Sequence, residues 1–311
     1  MHLPHPYSSR RFGCAGLVLL SLTGAALARA QSAAPEMPTK LEPVKVVGAN
    51  VPGEVKAMGG YQQPEWTARR RFVTTRVYVQ PEGQAEVELG YDFARHEEGF
   101  STQLFRQEIE YGLPHRFQID LENTFRNFHE GEAAAGAWHH DSTAVELRYA
   151  LADWGKIPLN PTISVAWKLN DKAADAAEVQ LLLGAELSPR WHWGVNFLYE
   201  QQIDDDRFRE KSASAGISYS LINEKLNLGV ETKYAVESDR DTRGHPERRW
   251  AIGPSLQWRP SDETHFDIVP LWGATEAAPK WEIFIFFGFE FGAGADDGDH
   301  RKVEPASLRG R

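Results

Sequence analysis

Charged side chains in the first half of the chain form the pattern with the clearest chemical meaning. Between positions 84 and 151 they recur at alternate positions within short segments whose other residues are largely apolar. The set consists of Glu86, Glu88, Asp92, Arg106, Glu108, Glu110, Asp120, Glu122, Arg126, Glu146 and Arg148. Carboxylates gathered on one wall of a pore favour cations. The pattern predicts a polar, lumen-lining wall that passes or binds small solutes, with a bias toward cationic compounds.

A structural interpretation of the same residues stays open. Arginines interleaved with carboxylates also form ion-pair ladders, and paired charges are tolerated where single buried charges are costly. Such ladders would fill a narrow interior without binding a solute. Two aromatic residues of the last segment, Phe284 and Phe286, share the polar face and would either contact a substrate or pack as a plug.

Large apolar residues alternate with polar ones throughout residues 84–292. Successive side chains of a strand point to opposite faces, so the alternation predicts strands with one apolar and one polar face. In the last segment, 280–292, the apolar face holds Trp281, Ile283, Ile285, Phe287, Phe289 and Phe291. About twelve segments of roughly ten residues each follow this pattern, and that length crosses a bilayer when the strand is tilted.

The connections between these segments alternate in length. Tight turns are predicted near Pro114, Gly155, Pro189, 223–225 and 261–262, and longer polar loops fall between them, a pattern typical of outer-membrane barrels. No later apolar run is long enough for a spanning helix. We therefore predict an all-β fold, a transmembrane up-and-down antiparallel β-barrel of about 12 strands over residues 84–292. A soluble β-fold is the competing interpretation.

The aromatic residues fall near the ends of the predicted strands. Trp and Tyr prefer membrane interfaces because their rings are amphipathic. The predicted lipid-interface residues are Trp167, Trp191, Trp193, Trp250, Trp258, Trp272 and Trp281. Two girdles of this kind favour a membrane barrel over a soluble sandwich.

The N-terminal residues 1–30 have the form of a secretory signal peptide. Arg10 and Arg11 end a basic stretch, an apolar run follows, and a small-x-small pattern predicts cleavage after Ala30. We expect export to the cell outer membrane. The single cysteine, Cys14, lies in this segment, so the mature chain would have no disulfide or thiolate chemistry.

Residues 31–72 are predicted to form a flexible periplasmic extension. Within it, segment 41–49 resembles the TonB box of TonB-dependent transporters, which implies a TonB-like periplasmic partner that pairs with it as a strand. The alternative is a tail with one β-prone segment. The basic residues of 67–72 would meet the anionic membrane surface or remain solvated.

The C-terminal residues 293–311 are predicted to be a disordered tail. Phe291 then holds the position of the terminal aromatic that the barrel-insertion machinery recognises in outer-membrane barrels. The partners we expect are therefore outer-membrane lipid, this insertion machinery and a small-molecule solute. The net charge of −10 argues against a nucleic-acid partner.

Two hairpins resemble a family of outer-membrane barrels. The first is Ile109-Glu-Tyr-Gly-Leu-Pro-His-Arg-Phe-Gln-Ile-Asp-Leu-Glu122, and the second joins 145–151 to 161–167. Members of that family are described as transporters or linked to phenol degradation. The resemblance covers residues 84–292 and implies a porin-like barrel for small, including aromatic, solutes. It supplies no catalytic residues.

Two other function classes stay in view. The first is a lipid-modifying outer-membrane enzyme, and the second is a docking barrel that acts through its N-terminal tail. The enzyme would need a Ser and a His at the lipid-exposed rim, whereas the two histidines of predicted strands, His192 and His265, point inward near the periplasmic end. We predict no catalytic residues, no cofactor and no metal centre. One loop cluster, within 129–141, is rich in His and acidic residues but lacks a metal-ligand spacing.

Overall fold

The computed structural model describes residues 57–70, 72–97, 99–130, 136–222 and 225–292. The predicted signal peptide, the TonB-box-like segment 41–49 and the predicted tail 293–311 lie outside the described residues. Within the described ranges, no helix has the length and apolar character needed to span a membrane.

Twelve antiparallel strands close into a barrel, in which each strand pairs with its neighbours in chain order. The strands are β3 (Gln84–Arg95), β4 (Phe100–Leu113), β5 (Phe117–Glu130), β6 (His139–Ala150), β7 (Thr162–Asn170), β8 (Ala176–Ser188), β9 (Trp191–Gln202), β10 (Arg209–Ile222), β11 (Leu226–Ser238), β12 (Glu247–Trp258), β13 (Thr264–Gly273) and β14 (Trp281–Gly292). The last strand, β14, closes the barrel by pairing with β3. The predicted fold class is confirmed.

The predicted alternation sorts side chains between the lumen and the outer face. On β3, Glu86 and Glu88 are 0 % and 1 % exposed, whereas the intervening Val87 and Leu89 are 36 % and 42 % exposed. A closed sheet with polar residues inside and large apolar residues outside is the arrangement of a membrane barrel. The exterior is therefore a surface for lipid.

The predicted interface tryptophans lie on this outer face. Trp193 is half-buried, and the other six are 38–53 % exposed. Trp191 lies beside Tyr219, with ring centroids 5.0 Å apart, and Trp281 stacks on Phe93 at 4.9 Å near the opposite end of the strands. The aromatics form two groups, one near each end of the barrel.

The two ends of the barrel differ in their connections, and we call them the short-turn end and the long-loop end. One predicted turn is wrong: β6 and β7 are joined by residues 151–161 and not by a tight turn at Gly155. The loop predicted over 128–141 is also shorter, because β5 extends to Glu130 and β6 begins at His139. Asp141 of the candidate loop cluster pairs with Arg126 at 2.8 Å.

The segment before the barrel folds into its lumen, and we call its described residues, 57–70 and 72–83, the plug. It contains two short strands, β1 (Ala57–Met58) and β2 (Gln63–Pro64), which pair with each other, and one turn of helix, α1 (Glu65–Ala68). Its large side chains are buried: Trp66 and Phe72 are each 1 % exposed. Burial of a side chain of this size stabilises by about 1.5–3 kcal/mol.

This finding corrects two expectations. The described part of the predicted extension, residues 57–70 and Phe72, is not a flexible tail. The basic residues Arg69 and Arg70 face neither membrane nor bulk solvent, because both are buried inside the barrel. The sequence of the plug lacks regular alternation, and its apolar groups acquire a partner only when the barrel surrounds them.

Candidate functional site

A row of three glycines forms the wall on which the plug rests. Gly184, Gly194 and Gly216 lie directly opposite one another on β8, β9 and β10. A Cβ at Gly184 would approach Val77 to 2.7 Å, and one at Gly216 would approach Phe72 to 2.5 Å. Both distances are too short for a side chain, so the glycines leave the room that the plug occupies. The small residues of these strands indicate this space in the sequence.

An apolar patch faces the plug from another part of the wall, on β12 to β14. Val73 of the plug packs in a buried cluster with Ala251, Val269, Leu271 and Phe286. The Arg70 guanidinium lies 4.6 Å above the Phe286 ring. The packing alternative for Phe284 and Phe286 is thus the observed one: Phe286 is buried against the plug, and Phe284 packs beside it.

Carboxylates form one continuous row across the lumen wall, which we call the acidic row. From β14 through β12 its members are successive register partners, interrupted at β7 by Ala166: Glu290, Glu86, Glu110, Asp120, Glu146, Glu178, Glu200, Glu210, Glu237 and Glu247. The row begins near the short-turn end of β14 and reaches the long-loop end of β12, since the strands of a barrel are tilted. Like charges directly opposite each other destabilise a sheet, so the row requires counter-charges.

The plug supplies the counter-charges in the lower part of the lumen. Arg76 pairs with Glu110 and lies 3.5 Å from Glu86. Arg70 pairs with Glu88 and lies 3.9 Å from Glu108. The side chains of the two arginines are 12 % exposed or less. The predicted acidic wall is therefore neutralised at this level by residues of the plug.

Polar groups anchor the plug to other strands as well. Glu231 of β11 accepts hydrogen bonds from the backbone N–H and the hydroxyl of Thr74, at 2.8 and 2.6 Å. The Trp66 indole N–H donates to Glu186 of β8 at 2.6 Å. The Gln80 backbone N–H donates to Gln118 of β5 at 2.6 Å. These anchors lie on widely separated strands, so the plug is held from several sides of the barrel.

The 151–161 connection closes the short-turn end over the plug. Trp154 makes edge-on contacts with Trp66 and Tyr78, with ring centroids 5.5 and 5.3 Å apart. Its backbone N–H donates to the carbonyl of Tyr61 at 2.9 Å, and the Tyr78 hydroxyl donates to the carbonyl of Ala152 at 2.7 Å. Burial raises the pKa of Tyr78.

Arginines of the wall itself form the rest of the lower network. Arg148 lies 3.4 Å from Asp120 and 2.6 Å from Glu146, and Arg259 lies 2.7 Å from Glu290. The predicted interpretation as an ion-pair ladder therefore describes these residues well. It did not anticipate that the plug would complete the ladder.

The lumen on the long-loop side of the plug is accessible to solvent, and we call it the vestibule. It is lined by Arg106, Glu108, Glu122, Lys168, Glu178, Glu200, Glu210, Lys233, Glu237, Arg249 and Glu282. Lys233 is exposed although its register position faces the lumen. Fixed ion pairs occur here too: Arg106 with Asp92 at 2.5 Å, and Lys168 with Glu200 at 2.9 Å.

The predicted lumen residues differ in their burial. The buried ones are Glu86, Glu88, Asp92, Glu110, Asp120 and Arg148, and the half-buried ones are Arg106, Glu108, Glu122, Arg126 and Glu146. Sequence reasoning missed the upper half of the acidic row and the plug arginines. Strand register was the missing signal for the row, because its members are consecutive only across the sheet.

Comparisons with known proteins agree with this architecture. Residues 170–291 match the model of a family described as "Putative MetA-pathway of phenol degradation". The crystal structure of an outer membrane channel from Pseudomonas putida F1 is similar at a TM-score of 0.53, with 12 % identity over 69 % of this chain and 97 % of that chain. At that identity the likeness concerns the fold.

Other similar structures are porins. The NanC porin has a TM-score of 0.46 and 13 % identity over 67 % of this chain and 99 % of its own. The KdgM porin has a TM-score of 0.45 and 10 % identity over 66 % and 99 %. A search among curated proteins found no match. The chain thus forms a closed twelve-stranded β-barrel whose fold resembles that of a solved outer membrane channel, and its residues 170–291 match the phenol-degradation family named above.

Proposed function

We propose that the protein is an outer-membrane channel for small solutes that the plug holds closed in the state described. The observation that carries the proposal is the pairing of Arg76 with Glu110 of the acidic row and of Arg70 with the nearby Glu88. The plug is thus both the obstruction in the lumen and the source of its counter-charge. Displacement of the plug would open the bore and expose an uncompensated acidic wall.

Packing supports the closed state. Val77 and Phe72 fit against the glycine row, and Val73 fits against the apolar patch of β12 to β14. Wall and plug meet at van der Waals distance on both sides. A solute cannot pass between them without displacement of the plug, since close-packed interiors deform little.

Charge supports a preference for cations. In the vestibule, the acidic row contributes Glu178, Glu200, Glu210 and Glu237, whereas Lys168, Lys233 and Arg249 are the nearby bases. With the plug withdrawn, the acids below the vestibule would also lose Arg70 and Arg76. Rings of carboxylates select cations in pores.

The description of the matched family names a pathway of phenol degradation. Aromatic compounds are therefore candidate solutes of this channel. Phe284 and Phe286 give the lumen an aromatic surface. In the closed state Arg70 covers the Phe286 ring, so this surface becomes available only with the plug displaced. We therefore favour small organic cations, with neutral aromatics as the comparison set in uptake assays.

Planar-bilayer recording tests the proposal. One variant replaces residues 57–80 with a flexible Gly-Ser sequence of equal length, and its folding is checked by heat-modifiable migration. We expect low conductance from the full chain, and a large, cation-selective conductance from the variant in a KCl gradient. Equal conductance of the two proteins, or anion selectivity of the variant, would contradict the proposal.

The two histidines considered for the alternative, a lipid-modifying enzyme, do not support it. His192 and His265 are 1 % and 0 % exposed and face the lumen, and a lipid-modifying site would need its histidine at the lipid-facing rim. The His192 ring packs against Trp66 of the plug at 4.7 Å. A lipase assay with the folded protein in mixed micelles should give no hydrolysis above background.

We further propose that a TonB-like periplasmic partner acts through segment 41–49. That segment precedes the plug in the chain, so a force applied to it would reach Ala57 first and then the buried plug. Deletion of 41–49 should abolish partner-dependent uptake while the low conductance of the closed barrel stays unchanged. Unaltered uptake in the deletion variant would remove the partner from the proposal.

A further inference from the structure

A histidine and three carboxylates form a buried cluster beside the plug. The His265 Nε2 atom lies 2.7 Å from Glu86 Oε1 and 3.9 Å from Glu88 Oε2. These three potential ligand atoms all lie within 4.8 Å of one another. The other ring nitrogen, Nδ1, lies 2.5 Å from Asp267 Oδ2. Each of the four side chains is at most 2 % exposed.

Gly288 makes this cluster possible. His265 of β13 and Glu88 of β3 are not on neighbouring strands, and Gly288 of β14 is the register partner of both. A Cβ at Gly288 would overlap with His265 Nε2. The missing side chain therefore allows the imidazole to lie across β14 and reach the carboxylates of β3.

The two glutamates divide their oxygens between the plug and the histidine. Glu86 directs Oε2 to Arg76 and Gln80 and directs Oε1 to His265. Glu88 directs Oε1 to Arg70. Its Oε2 atom is buried without a hydrogen-bond partner and points toward His265 Nε2. A bound cation would stabilise this oxygen, because a buried polar atom without a partner is energetically costly.

We propose that Glu86 Oε1, Glu88 Oε2 and His265 Nε2 bind a divalent transition-metal cation, with Asp267 orienting the imidazole through its contact with Nδ1. A carboxylate on the distal nitrogen of a metal-binding histidine is a recurring arrangement that fixes the tautomer and ring orientation. Two carboxylates and one imidazole suit Zn²⁺, Mn²⁺ or Co²⁺.

The charges around the cluster agree with a cation. Four carboxylates, namely Glu86, Glu88, Asp267 and the adjacent Glu110, face two guanidiniums, those of Arg70 and Arg76. The carboxylates outnumber the guanidiniums, and Glu108, 3.9 Å from Arg70, adds to the excess, so the local negative charge favours a bound cation. Because the plug uses the other oxygens of the glutamates, metal and plug bind together, and the metal stabilises the plugged state.

Co²⁺ and Zn²⁺ titrations of the purified, folded full chain test the proposal independently of conduction. We expect one Co²⁺ per chain with visible d–d absorption, displacement of it by Zn²⁺, and greater protease protection of the plug with metal bound. His265→Gln and Glu88→Gln should weaken binding at least tenfold. Glu146→Gln, which removes a carboxylate of the acidic row outside the cluster, should bind as the parent does.

Gly288→Ala provides a second, stricter variant because it removes no ligand. Its added Cβ displaces the imidazole, so binding should again fall at least tenfold while heat-modifiable migration stays normal. The proposal is overturned if the parent chain binds no Co²⁺ or if His265→Gln binds it as well as the parent. Binding by Gly288→Ala at parental affinity would also overturn it. A variant that does not fold leaves the parent titration and the other variants to decide.

Discussion

The lower and upper halves of the lumen carry the same acidic row but balance its charge in different ways. Below, Glu110 of the row and the nearby Glu88 pair with Arg76 and Arg70, which belong to a segment outside the barrel wall. Above, Glu200 pairs with Lys168 of a neighbouring part of the wall. A counter-charge on the wall stays in the lumen when the plug is displaced, whereas a counter-charge on the plug is removed with it. The lower half is therefore the part of the lumen whose charge and bore can change together.

The two halves also differ in packing. In the lower half the glycine row and the apolar patch are shaped to the plug, and Phe286 and Leu271 are almost fully buried. In the vestibule, Lys233 is exposed to solvent, and Arg106 is half-buried and pairs with Asp92. Substitutions in the lower half should therefore alter closure, and those in the upper half should alter selectivity.

Loss of Arg76 is expected to have the largest effect on closure of the channel by the plug. In Arg76→Met, Glu110 and Glu86 remain buried without this guanidinium, and breaking a buried ion pair costs about 3–5 kcal/mol. That cost would shift the closed-to-open equilibrium by about 150- to 4,000-fold. Open probability in planar bilayers and protease access to the plug measure the shift.

Arg76→Lys is the matched control for this prediction, because it keeps the charge near both carboxylates. It should retain most of the closure. Equal open probabilities for the Met and Lys variants would mean that shape, not charge, holds the plug.

The second effect comes from the glycine row. Gly194→Leu would place a side chain where Val77 and Thr75 of the plug lie. Overpacking of this kind costs about 1–3 kcal/mol, which corresponds to a rise of about 5- to 150-fold in the open state. Ala215→Leu, on the outer face of neighbouring β10, adds the same bulk toward lipid and should not change conductance.

The barrel could be predicted from the sequence because its information is local. A two-residue alternation such as Glu86-Val87-Glu88-Leu89 specifies which face is buried without knowledge of any distant residue. The strand count followed from that alternation. The barrel followed from the strand count together with the alternation of short turns and long loops. Strand ends were less well predicted, since residues such as His139 suit either a loop or a strand.

The plug could not be predicted because many of its stabilising contacts join residues far apart in the sequence. Trp66 finds Glu186, and Thr74 finds Glu231, at separations of 120 and 157 residues. Nothing in the local pattern of 57–83 distinguishes a buried plug from a solvated tail. The candidate metal site could not be predicted for the same reason. Glu88 and His265 lie close together only because Gly288 is the register partner of both.

A smaller effect is expected from the upper half. Lys168→Gln removes a partly exposed partner of Glu200, and exposed pairs contribute about 0–1 kcal/mol. Closure should not change, and the cation preference of the opened channel should rise by less than about fivefold. Reversal potentials of the double variant with Arg76→Met measure this. A change in open probability caused by Lys168→Gln alone would contradict the division between the two halves.

The smallest effect concerns alkaline pH and belongs to the lower half alone. Burial, and then the charge of Asp153, raise the pKa of Tyr78 above its ordinary value of about 10. Tyr78 in a released plug would ionise at that ordinary value, so its contribution to closure is complete below about pH 10 and declines as the pH rises further. Open probability should therefore increase above pH 10.

Tyr78→Phe should reduce this increase without abolishing it, because burial also raises the pKa of Tyr61 in the same cluster. An increase of the same size in Tyr78→Phe would assign the alkaline response to groups other than Tyr78.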